Sequence, residues 1–199
     1  MKRTTQLNII STPEGPHPPA ILTNDPSFTA WGWAVLTLEG EIIDTGCIKT
    51  IPSNKKLKIR KGDDRCRRIS EINQRLLALI KKYNVVFILS EQPHGSQSAV
   101  AAIMIGVCLG IVQTIGDVLN IGIEWYSEQD SKKCLLEKRS ATKEETINAI
   151  SKLYSWKPSG VKYIDEAVAD ALSIYYVANK QSATLRLFKN EREKNLIFS

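Results

Sequence analysis

The sequence predicts an α/β fold: a five-stranded mixed sheet, three antiparallel strands followed by two parallel ones, flanked by helices. Three features lead there. Three strand-like segments in close succession open the ordered part of the chain, an unbroken apolar run of strand length, Val85-Val86-Phe87-Ile88-Leu89, follows a segment with helical spacing, and another strand and more helices come after it. A run that is apolar at every position suits a strand covered on both faces, which places helices on either side of the sheet.

The elements follow in order. Residues 1–19 carry Pro13, Pro16, Pro18, Pro19 and Gly15 with little periodicity and are expected to form a flexible arm. Residues 20–24 read as the first strand, 33–38 as the second and 41–50 as the third, with Glu39-Gly40 as a tight turn between the last two. From Asp64 to Tyr83, apolar residues at Ile69, Ile72, Leu76, Leu77, Leu79 and Ile80 recur at helical spacing. The strand 85–89 comes next, then an apolar helix over 99–119, a fifth strand over 121–126 and a short helix over 129–138. Thr142 and Glu145 form a Thr-x-x-Glu capping box that announces another helix. The last core helix spans about 164–179, so one domain fills 20–180, and a basic tail, helical or disordered, occupies 181–199.

Composition narrows the function. With 199 residues and 43% apolar content, the chain can bury one substantial core. Cys47, Cys66, Cys108 and Cys134 are scattered, with only His17 and His94 to complete a zinc site, so they read as free thiols in a reducing compartment. The chain opens without a basic-then-apolar leader, and a cytoplasmic location, bacterial or in a host cell, is expected. Residues 99–112 are uncharged, but a membrane span needs roughly 20 residues, so a buried helix and no membrane partner are expected.

Charge points to a polyanion. The net charge is +6, and residues 53–68 alone carry Lys55, Lys56, Lys58, Arg60, Lys61, Arg65, Arg67 and Arg68 against Asp63 and Asp64. Such a run favours phosphate backbones, since each neutralised phosphate releases condensed counterions; a solvated loop without a partner is the alternative. Lys55, Lys56, Lys58, Arg60 and Lys61 are the candidate DNA contacts.

Three acids sit at telling places. Asp25 ends the first strand, in Thr23-Asn24-Asp25-Pro26-Ser27, and Glu91 ends the most apolar strand, in Ser90-Glu91-Gln92-Pro93. Functional groups gather beyond strand ends, where a charge reaches solvent on a rigid scaffold. In the final helix, Glu166 and Asp170 lie one turn apart on one face, and Ala167, Ala169 and Ala171 permit close approach to the sheet. Each acid alone also has a plain explanation, as a turn former, a solvated strand boundary or a first-turn helix acid. Together they suit Mg²⁺, or Mn²⁺ in its place, and two such ions about 4 Å apart stabilise both oxygens of an in-line phosphodiester displacement. Asp25, Glu91, Glu166 and Asp170 are the expected ligands, with Asp25 placed to bridge the two ions.

At these residues the chain resembles the RuvC-type Holliday junction resolvases, nucleases of the RNase H-like fold. Asp25-Pro26-Ser27 through Gly32-Trp33 is similar to the family's first motif, Ser90-Glu91-Gln92-Pro93 to its second, and Ala169-Asp170-Ala171-Leu172 to its final helix. The resemblance spans residues 20–179. It implies a homodimer acting on four-way DNA junctions, making paired symmetric nicks. It also implies basic residues near the scissile phosphate after the fifth strand, where Lys132 and Lys133 stand, with Lys132 the candidate for a catalytic role. The segment from Ser96 through the apolar helix falls at the family's substrate loop and part of its dimer contact, while a plain core helix would read the same way.

The pattern also departs from the family. The bacterial family's last helix usually carries a second acid three residues before the final Asp, and Ala167 stands there, so Glu166 or Asp165 must supply the charge; Glu166 keeps the helix face better. The Pro-rich arm and the longer basic loop suggest a virus-encoded or otherwise divergent member. Three other readings stay open: a DNA-structure-binding protein without catalysis, an RNase H-like nuclease acting on other branched or hybrid nucleic acids, and an actin-like or sugar-kinase ATPase. The last needs a second domain and phosphate loop for which 199 residues leave no room. Of the aromatic residues, Trp33 is expected in the core, with Phe28 and Trp31 either core or free to stack on bases.

Overall fold

The computed structural model describes residues 17–197, with side chains to 190. Most of the expected arm, residues 1–16, lies outside the described residues. Five strands, β1 (Ala20–Asp25), β2 (Ala30–Thr37), β3 (Ile42–Lys49), β4 (Val85–Gln92) and β5 (Gly122–Ser127), form one sheet in the order β3-β2-β1-β4-β5. β1 pairs antiparallel with β2, and β2 with β3, whereas β4 runs parallel to both β1 and β5. This is the mixed sheet the sequence predicts: β2 starts three residues earlier and β4 ends three residues later than expected, and every other strand end lies within one residue. The helices are α1 (Lys61–Lys82), α2 (Ala99–Leu119), α3 (Glu128–Leu136), α4 (Lys143–Tyr154), α5 (Lys162–Gln181) and α6 (Ala183–Ile197), the last giving the tail its helical form.

Side-chain alternation along the strands divides the core in two. On one face Leu22, Val35 and Ile88 pack against Ile72, Leu76 and Ile80 of α1 and Cys108, Ile111, Val112 and Ile115 of α2. On the other, Ile21, Ala34, Phe87 and Leu89 pack against Val168, Leu172 and Tyr175 of α5, with Ile150 of α4 and Leu185 of α6. Asp25 and Glu91 follow the α5-facing parity of Ile21 and Leu89, so β1 and β4 aim both acids at the same helix.

Gly32 fixes how close that helix comes. It pairs with Asp25 in the β1–β2 register, and a Cβ at this position would stand 2.0 Å from the Ala167 carbonyl oxygen. α5 therefore lies directly on the β2 backbone, beside the end of β1. The loop after β1 is clamped by buried Arg68, whose Nε donates to Thr50 Oγ1 at 2.9 Å, whose guanidinium donates to the Phe28 carbonyl at 3.1 Å, and which stacks on the Phe28 ring at 4.1 Å. One of the eight basic residues of 53–68 is thus committed to the fold rather than to a partner.

One open reading is decided and one expectation is corrected here. Trp31 is the buried core indole, its Nε1 donating to Asn24 Oδ1 at 3.1 Å, while Trp33, expected in the core, packs half-buried against it beside Gly46. The apolar helix, expected to be buried, covers 21 residues with Asp117 as its one charge, long and apolar enough to cross a membrane, so the length argument against a span falls. It buries one stripe against the sheet, and Val100, Ile103 and Val118 are more than half exposed.

Candidate active site

β1, β4 and α5 deliver Asp25, Glu91 and Asp170 to one place at the carboxyl ends of the parallel strands. Asn24 pairs with Ser90, so Asp25 and Glu91 leave adjacent strands side by side. Asp170 is carried in by the close packing of α5 at Gly32. Asp170 and Glu91 are 4% and 8% exposed, which puts carboxyls where water can offset little of their charge.

Their proton affinities record that crowding. Burial, then the charge of Asp170, pushes Asp25 up to about 7. Burial, then Asp25 and Asp170, pushes Glu91 up to about 9. Burial also raises Asp170, against the opposing pull of Lys143. Three acids with raised pKa, crowded by burial and by like charge at one end of a sheet, mark a functional site with an unmet need for positive charge.

Two groups absent from the sequence-based site stand in this cluster. The Lys143 ammonium is hydrogen-bonded to Asp170 Oδ2 and lies 3.8 Å from Glu128 Oε1. Burial works against its charge, yet Asp170, Asp25 and Glu128 together hold its pKa above the ordinary lysine range. Lys143 opens α4, anchored by the Thr142–Glu145 capping box. A lysine in the first turn of a helix opposes the dipole, and that misfit is the signal that it faces acids. Glu128 lies just past β5, the same strand-end placement that singled out Asp25 and Glu91. Burial pulls its pKa up, but Lys132, bonded to Oε1 at 2.5 Å, and Lys143 hold it below the usual value. Lys132 thereby reaches the cluster through Glu128, and neighbouring Lys133 is exposed.

Glu166, expected as the fourth ligand, is not brought in. Helical side chains lean toward the N-terminus, and its Oε1 faces Lys162 Nζ, one turn back on the same helix, at 3.9 Å. Asp165 is committed to the loop ahead of α5, accepting from the Ser159 amide at 2.7 Å, the Ser159 hydroxyl at 2.7 Å and the Gly160 amide at 3.0 Å. As the side chains stand, no three acid, histidine or cysteine groups among the described residues are spaced to share one ion. The buried acids, with Lys143 as their internal counterion, are nevertheless the oxygen-rich anionic donor set that hard divalent cations prefer.

The basic segment lies beside α1. Asn54 caps a single 3-10 turn, Lys55–Leu57, and Asp64 accepts from the Ser53 amide at 2.9 Å. Lys55, Lys56, Lys58 and Lys61 are exposed, and Arg60 pairs with Asp63 at 2.7 Å.

Sheet order and helix placement are those of the RNase H-like α/β fold, and the chain is similar to RuvC nucleases in sequence and in structure. No family model matches it. It is 25% identical over 162 residues to the crossover junction endodeoxyribonuclease RuvC of Orientia tsutsugamushi (strain Ikeda), covering 80% of this chain and 94% of that protein. To the RuvC of Ehrlichia canis (strain Jake) it is 25% identical over 157 residues, with 78% and 95% covered. Among solved structures, Thermus thermophilus RuvC in complex with a Holliday junction substrate superposes with a TM-score of 0.63 at 18% identity, over 83% of this chain and 98% of that one. The yeast mitochondrial Holliday junction resolvase superposes with a TM-score of 0.57 at 14% identity, over 87% and 83%.

Proposed function

We propose that this protein is a divalent-metal-dependent endonuclease that resolves four-way DNA junctions by paired nicks. The observation that carries the reading is the meeting of half-buried Asp25 with buried Glu91 and Asp170, crowded in like charge, at the strand ends of a RuvC-like fold. Asp25, Glu91 and Asp170 would hold Mg²⁺ or Mn²⁺, two ions per site, which supply Lewis acidity for in-line displacement at phosphorus. Lys143 and Lys132 set positive charge beside the acids, where a phosphodiester would lie. The exposed lysines at 55, 56, 58 and 61, with Arg60 and Lys133, would grip the flanking backbone. The exposed apolar stripe of α2, continued by Leu77 of α1, would join two copies and so present one site to each of two opposed strands. DNA as substrate suits a cytoplasmic protein.

A labelled four-way junction incubated with the protein and Mg²⁺ will be nicked in opposed strands, by a species whose light-scattering mass is that of two chains. Binding without nicking in either Mg²⁺ or Mn²⁺ would make the protein a junction binder and end the enzymatic reading. Changing Lys55, Lys56 and Lys58 together to Gln is expected to weaken junction binding. It should also flatten the dependence of log Kd on log salt by about 2–3, near 0.9 for each phosphate that is no longer neutralised. An unchanged slope would remove this segment from the interface.

A further inference from the structure

We propose that Glu128, at the junction of β5 and α3, is the fourth carboxylate of the metal site, in the role the sequence assigns to Glu166. The inference rests on the two-metal reading above and names the residue that completes it.

Strand geometry points Glu128 at the cluster. Glu91 pairs with Tyr126 across β4 and β5, and Gln92 with Ser127, so Glu128 is the first residue past the paired ends. By alternation it shares the parity of Glu124 and Tyr126. Both of these lie on the α5 side of the sheet: Tyr126 packs in that core, and Glu124 accepts from Ser182, the residue that follows α5. Asp25, Glu91 and Glu128 thus leave three neighbouring strands on one face.

A cation already joins Glu128 to the site. The Lys143 ammonium touches Asp170 Oδ2 and stands 3.8 Å from Glu128 Oε1, so one positive charge sits between the two carboxylates. A second, independent observation shows that the place still calls for a cation. Glu91 is 8% exposed and makes no hydrogen bond or ion pair among the described residues, while Asp25, Asp170 and Glu128 surround it with like charge. Lys143 satisfies Asp170 and leaves Glu91 without a partner. On α5, by contrast, Ala167 lies under Gly32 with no carboxylate, and Glu166 faces Lys162.

Mn²⁺ binding to the full-length chain, followed by electron paramagnetic resonance at fixed pH without DNA, tests the assignment. Glu128→Gln is expected to weaken Mn²⁺ binding by at least about 10-fold or to remove one ion, the size typical of lost metal-site partners. Glu128→Asp should recover part of the loss, and Glu166→Gln should change it less than 2-fold. Lys143→Met, which removes the competing ammonium, should tighten binding. Wild-type Mn²⁺ binding by Glu128→Gln would overturn the proposal and leave Glu128 as an anchor for Lys132 and Lys143; so would a 10-fold loss in Glu166→Gln. Asp25→Asn serves as the reference: if it binds Mn²⁺ like wild type, the metal-dependent reading itself fails, whatever Glu128 does.

Discussion

Asp25→Asn is expected to lower junction cleavage by about 10³-fold or more, some 4 kcal/mol of transition-state stabilisation, while junction affinity stays within about 3-fold. The asymmetry follows from where the residue sits. The charges that act on Asp25 are those of Asp170, Lys143 and Glu128 and not the exposed lysines at 55, 56, 58 and 61, so its loss should affect chemistry far more than grip. The same substitution should stabilise the metal-free protein at pH 8. Asp25 and Glu91 hold protons up to about 7 and about 9 in the fold, against ordinary values of 3.8 and 4.5. Between pH 4 and 9 the folded chain therefore binds more protons than the unfolded one, and stability falls as pH rises through that window. Asparagine removes one of these charges and eases Glu91, so the midpoint of thermal unfolding at pH 8 should rise by about 3–8 °C, with a much smaller gain at pH 4. Calorimetry in chelator at the two pH values reads the difference. An equal shift at both would mean that charge repulsion is not its source.

Gly32→Ala should damage fold and chemistry together. The new methyl group would stand 2.0 Å from the Ala167 carbonyl oxygen and 2.8 Å from its Cβ, and both the β2 strand and the α5 backbone are held by their own hydrogen bonds. α5 must back away by more than 1 Å. Overpacking of this kind costs about 1–3 kcal/mol, which corresponds to a melting point lower by roughly 3–10 °C. Asp170 would move with the helix, and a displacement near 1 Å in a positioned group can cost about 10²-fold in rate. Gly62→Ala is the control: nothing lies within 4 Å of its added Cβ, and both stability and cleavage should hold. Cleavage by Gly32→Ala within 3-fold of wild type would show that the close seating of α5 is not what places Asp170.

Much of this was readable in the chain itself. The five strands follow from alternation and from the apolar run 85–89, and the Thr142–Glu145 cap marks the start of α4 to the residue. The meeting of Asp25, Glu91 and Asp170 was legible because all three obey local rules, two at strand ends and one on a small-residue helix face. Glu128 obeys the strand-end rule too, but a Ser-Glu pair just ahead of a short helix has the same form as an ordinary cap and first-turn acid, so the sequence does not single it out. Spacing puts Glu166 on the face of Asp170 but does not say which neighbour its side chain meets, and Lys162, one turn back on the same helix, faces it at 3.9 Å. Alternation alone leaves Trp31 open between core and base stacking; the indole with a buried acceptor, Asn24, takes the deeper place, and Trp33 packs half-buried against the core.

The acids come from an early strand, a middle strand and a late helix, with much of the polypeptide between them. A chain still emerging from the ribosome, having made β1 and β4 but not yet α5, lacks Asp170 and the contact at Gly32 that seats it. Assembly of the acid cluster therefore waits on completion of the architecture, because until α5 docks no shorter stretch of the polypeptide can present the three carboxylates together.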